Sequence, residues 1–379
     1  MSPTSSSTSQ PRMEPEPPVR VAPVPAVAAL HRLREPGLEQ EGLVHLNRNE
    51  RLEPLPQWFM DHVRRSLESA LLTDYPVTDG LYRQLSGWLD VPESHLLLTA
   101  GSDAAIKALY QAYVRSGDTV VMLEPSYAMF SVYARMFQAR AAQVTFNESL
   151  ELDTAQLLES VVPGVRLVII ANPNQPTGTL LPQDVLRRLV ERTGAVGALL
   201  AVDEAYYPFS RTTVLPWIKE VPHLAVTRTF SKAAGLAGLR IGFVAAHPEI
   251  IGNLYKVRSV HDVNSVAIRC ASQVLAHPQV VDDYATQVDM GGRLLMERAR
   301  VLGLSVLPTR TNFMLIRVAP RYRPARIIEL LRQRRYLVKG PFSAPGLAGC
   351  IRVTLGPPAL MAAFADVLAG VLSDMSGGR

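Results

Sequence analysis

The sequence predicts an α/β protein: a large part built on a mostly parallel sheet covered by helices, followed by a smaller α+β C-terminal part. Three observations predict it. Between about residues 96 and 246, short apolar runs alternate with amphipathic helical stretches. Those runs are continuously apolar rather than alternating, as in Arg166-Leu-Val-Ile-Ile-Ala171, which is what strands buried on both faces require. After about residue 260 the pattern changes to long helices separated by a few short strands.

At 379 residues the chain is long enough for two domains. Its 47% hydrophobic and 19% charged residues are ordinary for a soluble globular protein with a large core. The 39 basic and 34 acidic residues leave a net charge of +5, scattered along the chain, so nucleic-acid binding gains little support. Cys270 and Cys350 are 80 positions apart and form no metal or redox spacing; two reduced thiols fit a cytoplasmic protein. No apolar run is read as a membrane span or a signal peptide, and no metal site is expected.

Residues 1–40 are rich in Ser and Pro and are expected to be a disordered tail. Residues 41–71 form an N-terminal segment expected to join the smaller domain. It holds the polar knot Leu46-Asn-Arg-Asn-Glu50 and an amphipathic helix over about 56–71, with Trp58, Phe59, Val63, Leu67 and Ala70 on one face. Residues 72–260 are expected to form the large domain. A loop at Tyr75-Pro76 leads to a helix over 80–90. A strand at Leu96-Leu-Leu-Thr99 then enters a helix start, where Gly101 allows close backbone approach and Ser102 or Asp103 can cap. Such a start presents free N–H groups to a phosphate, or is simply a capped helix.

Strands follow at 119–123, 143–146, 166–171, 198–204, 224–229 and 241–245, with helices opening near 124 and spanning 154–160 and 182–192. In parallel sheets, ligands gather at the carboxyl ends of strands, and Asn174, Asp203, Lys232 and the Gly101 loop all fall just after apolar runs. Residues 261–379 are expected to form the smaller domain: helices at 264–277, 280–303 and 324–335, strands at 304–307, 312–318, 336–339 and 350–355, and a closing helix at 358–372.

The stretch Thr227 to Phe243 concentrates the chemistry. Lys232 is its one lysine, with Thr229 and Ser231 before it and Arg240 eight positions after. An amine beside hydroxyls and a guanidinium suits an aldehyde cofactor bearing a phosphate, because the amine forms an imine while the others hold the dianion.

Together the motifs resemble the fold-type I, pyridoxal-phosphate-dependent class I/II aminotransferases, most closely the histidinol-phosphate aminotransferase branch. The residues that carry the resemblance are Leu46-Asn-Arg-Asn-Glu50, Tyr75-Pro76, Thr99-Ala-Gly-Ser-Asp103, Pro125-Ser-Tyr127, Asn172-Pro-Asn-Gln-Pro-Thr-Gly178, Asp203-Glu-Ala-Tyr206, Ser231-Lys232, Leu236-Ala-Gly-Leu-Arg-Ile-Gly242, Thr311-Asn-Phe313 and Ile351-Arg352. They occur in family order from about residue 40 to the C-terminus.

The resemblance implies that Lys232 is the aldimine-forming lysine and proton shuttle, that Asp203 pairs with the protonated pyridine nitrogen, and that Tyr206 bonds the cofactor's phenolic oxygen. It implies Ser102, Asp103, Thr229, Ser231 and Arg240 around the phosphate, Tyr127 stacked on the ring, and Asn174 and Gln175 in the cofactor loop. Arg352, Lys339, Asn49 and Asn312 would meet substrate. Tyr75 would reach the phosphate from a partner subunit, so a homodimer is implied.

Two positions depart from the family. Gln175 stands where a second asparagine is usual, and Lys339 where the branch usually carries another arginine. A lysine offers a point charge and not a planar fork. The leading expectation is amino-group transfer between an amino acid or amine and a 2-oxo acid. The alternative is a pyridoxal-phosphate-dependent lyase, decarboxylase or cyclase on the same scaffold. A regulatory module is disfavoured because the proline-rich first 40 residues leave no room for a DNA-reading helical domain.

Overall fold

The computed structural model describes residues 22–30 and 42–377. Most of the tail expected over 1–40 lies outside these residues. Within it, Pro25–Ala28 form a short helix with Pro25 in its first turn, and Leu30 packs against the apolar core beneath the sheet.

Twelve strands are described: β1 (Val44–Leu46), β2 (Leu96–Thr99), β3 (Thr119–Glu124), β4 (Arg140–Thr145), β5 (Val165–Ala171), β6 (Leu199–Asp203), β7 (Leu224–Thr229), β8 (Gly242–Ala246), β9 (Ser305–Val306), β10 (Phe313–Arg317), β11 (Tyr336–Val338) and β12 (Cys350–Thr354). Seven of them make one sheet in the order β2-β8-β7-β6-β5-β3-β4. The pairs β4/β3, β3/β5, β5/β6 and β6/β7 are parallel, while β8 runs antiparallel to both its neighbours. Only β8 therefore opposes the common direction.

Why these runs read as continuously apolar is clear from their packing. Along β5, Val168 and Ile170 enter the core on one face, and Leu167, Ile169 and Ala171 enter the core on the other. Both faces are covered, so Leu167 to Ala171 are apolar without a break, and the strand's one charged residue, Arg166, sits at its start.

A second unit is built on the antiparallel sheet β12-β10-β9. Its core takes Tyr284, Val288 and Leu295 from the helix Gln279–Val301, Ile316 from β10, Ile351 and Val353 from β12, and Phe364 and Leu368 from the helix Pro358–Gly377. Strand β1 pairs parallel with β11, and Leu46 is buried in this same core. The apolar cores do not divide at residues 71 and 260. Phe59 and the helix Ser265–Ala276 both pack into the large sheet's core, because Ala267, Cys270, Ala271 and Val274 present an apolar stripe to it.

Two further expectations change. The helix read over 56–71 is broken: Gln57–Arg65 ends at Ser66, and a short helix resumes at Ser69–Thr73. Ser66 Oγ donates to the Val63 carbonyl at 2.8 Å, and the side chains of Trp58 and Leu67 remain exposed, so no continuous face holds the helix together. Secondly, the helix Pro358–Ser376 is long and apolar enough to cross a membrane by length and composition, contrary to the sequence reading. Here Met361, Phe364, Leu368 and Val371 are instead buried in the protein core.

Candidate active site

The site forms where strand ends meet loops. In register, Thr99 of β2 opposes Gly242 of β8, which opposes Thr229 of β7; Thr227 opposes Asp203 of β6, which opposes Ala171 of β5. Because β8 runs backwards, its first residue lies at the same end as the last residues of the others. Arg240, two residues before β8 starts, is thereby delivered to the mouth of the parallel strands.

A cavity of about 210 Å³ opens at this edge. Lys232, Asp203, Tyr206, Ser102, Asp103, Tyr127, Gln175, Thr229, Ser231, Arg240, Asn49 and Arg352 all line it. Lys232 and Asp203, separated by a whole strand and its connections in sequence, thus face one space. Lys232 Nζ lies 5.7 Å from the centroid of the Tyr206 ring.

Asp203 is buried, and Thr227 Oγ1 donates to its Oδ1 at 2.7 Å. Burial raises its pKa to about 6, opposed by the Thr227 hydrogen bond and the Lys232 charge, and reinforced by the neighbouring Glu204. A carboxylate so placed is ready to pair with a cationic ring N–H.

The same cavity carries an anion cradle. The helix Ser102–Tyr113 begins after Gly101, whose φ is +82°, and its N-cap is that glycine. Neither Ser102 nor Asp103 caps it, contrary to the sequence reading. A Cβ on Gly101 would stand 2.8 Å from Arg240 Nη2, so only glycine leaves the guanidinium beside the helix start. Gly242 is equally constrained: a Cβ there would come within 2.6 Å of the Arg228 carbonyl and 2.9 Å of the Ser102 nitrogen. Arg240 Nη1 donates to Ser231 Oγ at 3.4 Å, and Thr229 Oγ1 donates to the same oxygen at 2.9 Å. Two hydroxyls, a guanidinium and unpaired helix N–H groups therefore converge on one point.

Asp103 lines the cavity from the first turn of this helix, and its side chain has a second partner set. Its carboxylate accepts from Tyr133 Oη at 3.0 Å and Tyr127 Oη at 3.3 Å, anchoring the Tyr127 ring at the cavity wall. Burial and the Asp103 charge hold the Tyr127 hydroxyl in its neutral form by raising its pKa.

Arg352 lies on β12 and is buried. Its Nη2 donates to the Asn47 carbonyl at 3.0 Å, while its Nε is buried without a partner among the described residues. Burial lowers its pKa. An enclosed guanidinium at the cavity wall, with no carboxylate paired to it among the described residues, is suited to an anion.

Four expected residues do not line the cavity. Asn174 donates its amide hydrogens to the Pro125 carbonyl after β3 at 3.0 Å and to Thr177 Oγ1 of its own loop at 2.9 Å. Asn312 donates to the Asn49 carbonyl at 3.0 Å, and so supports the segment that faces the cavity. Lys339 pairs with Arg352 through the backbone only, and its side chain is exposed. Tyr75 lies on a separate exposed groove, stacked on His261 with centroids 4.1 Å apart. Residue-level reading also passed over Arg48, which lines the cavity from inside the Leu46–Glu50 motif, as well as Thr227 and Tyr133. The motif itself was the available signal for Arg48; nothing short-range marks the other two.

The set fits pyridoxal phosphate. It has an amine, a buried carboxylate, an aromatic wall and an anion cradle that a single Cβ would fill. Among the described residues no group of three or more His, Cys, Asp or Glu could hold a metal ion.

Comparison with known proteins agrees. A histidinol-phosphate aminotransferase of Roseiflexus castenholzii is 36% identical over 308 residues, covering 78% of this chain and 80% of that protein. Histidinol-phosphate aminotransferase 1 of Ralstonia nicotianae is 35% identical over 351 residues, covering 89% and 91%. The crystal structure of histidinol-phosphate aminotransferase from Sinorhizobium meliloti in complex with pyridoxal-5'-phosphate superposes with a TM-score of 0.82 at 24% identity, covering 93% of this chain and 98% of that one. With residues 45–368 matching the family Aminotransferase class I and II, the chain belongs to the class I and II aminotransferases.

Proposed function

We propose that this protein is a pyridoxal-phosphate-dependent enzyme that moves an amino group from an anionic amino donor to a 2-oxo acid. The observation that carries this reading is Lys232 and Asp203 lining one cavity together with the residues of the anion cradle. When bound, pyridoxal phosphate supplies an aldehyde that accepts the amino group and a ring that takes up electrons from the substrate Cα. The residues do the rest. The helix start at Ser102, Ser231, Thr229 and Arg240 would hold the phosphate, and Asp203 would hold the proton on the ring nitrogen. Tyr127 would pack on the ring face. Tyr206 would donate its hydroxyl hydrogen to the phenolic oxygen, and Gln175 lines the same cavity. The Lys232 amine would take the proton from the donor's Cα and, when the 2-oxo acid is aminated, deliver one to the acceptor's Cα.

Arg352 binds the donor's carboxylate or phosphate with its guanidinium, and Arg48 adds a second cation. Histidinol phosphate is the first donor to test, because the relatives above carry that name. The exposed Lys339, near Arg352 but off the cavity, supports a weaker grip on a distal anionic group than an arginine fork provides.

A second copy of the chain belongs to this reading. Tyr75, Val77, Leu72 and Val260 are all largely exposed in the single chain, which supports a homodimer that covers them and carries Tyr75 to the partner's phosphate. The two unpaired buried cysteines support a cytoplasmic location.

The test is direct. Purified protein given pyridoxal phosphate should show a visible absorbance band that is absent in Lys232→Ala. Adding the true donor should convert the band to that of the aminated cofactor in one half-reaction. A wild type that stays colourless with added cofactor ends the reading. Size measurement in solution tests the dimer separately.

A further inference from the structure

The segment Asn47–Asn49 touches both the anion-gripping side of the cavity and the cofactor side. Asn49 is buried and holds a left-handed backbone, φ +56°, uncommon for a residue with a side chain. Three contacts keep it there. Its backbone N–H donates to Thr354 Oγ1 at 3.0 Å, the Asn312 amide donates to its carbonyl at 3.0 Å, and Thr354 Oγ1 donates to its Oδ1 at 3.4 Å. With Oδ1 facing Thr354, the amide nitrogen must face the other way, and Asn49 Nδ2 donates to Tyr206 Oη at 2.9 Å.

The donor direction matters. An amide NH₂ can only donate, so the Tyr206 oxygen accepts here and its own hydrogen has to point elsewhere. Tyr206 follows β6 of the large sheet, whereas Thr354 and Asn312 belong to the antiparallel sheet and its entry. Two residues before Thr354 on the same strand is Arg352, whose Nη2 holds the carbonyl of Asn47.

We propose that Asn49 is a positioning residue: its amide holds the Tyr206 oxygen and turns that hydroxyl's hydrogen into the cavity, from a seat shared with Arg352. The hydroxyl is thereby a ready donor to an oxygen bound beside it, and the direction of that hydrogen depends on a segment anchored to the sheet that binds the substrate's anion. This rests on the reading of Tyr206 as the partner of the cofactor's phenolic oxygen.

The experiment follows the absorbance of the bound cofactor against pH in wild type, Asn49→Gly, Tyr206→Phe and the double variant. Glycine suits the left-handed backbone, so Asn49→Gly removes the amide with little strain. The midpoint of the absorbance change should move up by about 0.5 to 1 pH unit in Asn49→Gly, the size expected for one lost hydrogen bond. In the Tyr206→Phe background the same substitution should leave the midpoint where Tyr206→Phe alone put it. Asn49→Asp, which replaces the donor by an acceptor of the same shape, should move it further up and keeps the test open if the glycine variant fails to fold. A midpoint unchanged in Asn49→Gly or Asn49→Asp, or the same shift with and without the Tyr206 hydroxyl, overturns the assignment while the proposed function stands. A wild type without any cofactor band overturns both.

Discussion

Thr227 and Asp203 sit opposite one another on β7 and β6, and the threonine hydroxyl donates to the buried carboxylate at 2.7 Å. This one contact, with the Lys232 charge, moderates a desolvation that otherwise pushes the acid upward; the balance leaves its pKa at about 6. A carboxyl whose folded pKa is raised above the ordinary 3.8 holds its proton more tightly in the folded state. Its contribution to stability is therefore present at low pH and is lost as pH rises between about 4 and 6, by roughly 3 kcal/mol at most. The melting temperature of cofactor-free Asp203→Asn, compared with wild type, should gain on it steadily across that window and run parallel above it. Thr227→Val should extend the window upward. Parallel curves from pH 4 to 7 would show that Asp203 titrates normally.

Gly101 and Arg240 make a second sharp prediction. Alanine at 101 meets both the +82° φ and the Arg240 guanidinium 2.8 Å away. We expect Gly101→Ala to cost about 1–3 kcal/mol of stability for the backbone alone. Displacement of Arg240 should also weaken pyridoxal phosphate binding by about tenfold, the effect of losing roughly one charge-assisted hydrogen bond. Cofactor titration of the folded variant checks the second part independently of the first. Inorganic phosphate, as a competitor, should lose affinity in the same proportion.

Arg352 differs from the exposed arginines because its environment is unfinished. Among the described residues its Nε has no partner, and its guanidinium bonds only a backbone carbonyl, which cannot neutralise it. Arg352→Lys keeps the charge but loses the fork. The Michaelis constant for an anionic donor should rise at least tenfold in Arg352→Lys and about a hundredfold or more in Arg352→Ala, as expected when a buried charge pair loses one member. A neutral amine donor should lose far less. Steady-state kinetics with the two donor types decides the point, since a general folding defect would affect both alike.

What was legible in the sequence follows a physical division. Strands such as β5 and β6 declare themselves because a strand buried on both faces has to be apolar throughout. Residues at or just past strand ends, Asp203 closing β6 and Lys232 following β7, are polar for a reason that packing does not supply. Contacts between distant segments left no such trace. Asn49 and Thr354 are 305 positions apart, and Asn312 supports Asn49 from 263 positions away. Nothing at short range says that Asn312 holds a loop and does not face the cavity. Tyr133 has the helical spacing of an ordinary core aromatic, and only the fold shows its hydroxyl on Asp103. The helix expected over 56–71 fails for a related reason: a periodic apolar pattern persists through Leu67, but no surface is there to receive it.

The residue after Asp203 provides the last prediction. Glu204 is buried to 1% exposure, and its carboxylate accepts from Arg228 Nε at 3.0 Å and Nη2 at 2.8 Å, from Thr213 Oγ1 and from the Val214 N–H at 2.7 Å. Arg228 is also buried, and its guanidinium lies 3.6 Å from the centroid of the Tyr207 ring. Removing only the acid leaves an enclosed cation without its counter-charge. Glu204→Ala should therefore lose about 3–5 kcal/mol in denaturant unfolding, well above the cost of an exposed pair such as Lys219–Asp90. Replacing both members with apolar side chains, Glu204→Leu with Arg228→Met, should recover much of that loss, because the desolvation of both charges disappears together. Glu204 is also among the groups that raise the Asp203 pKa. In Glu204→Gln the pH window assigned to Asp203 should accordingly narrow from its upper edge, so one substitution is read twice: once in total stability, and once in the titration of the acid beside it.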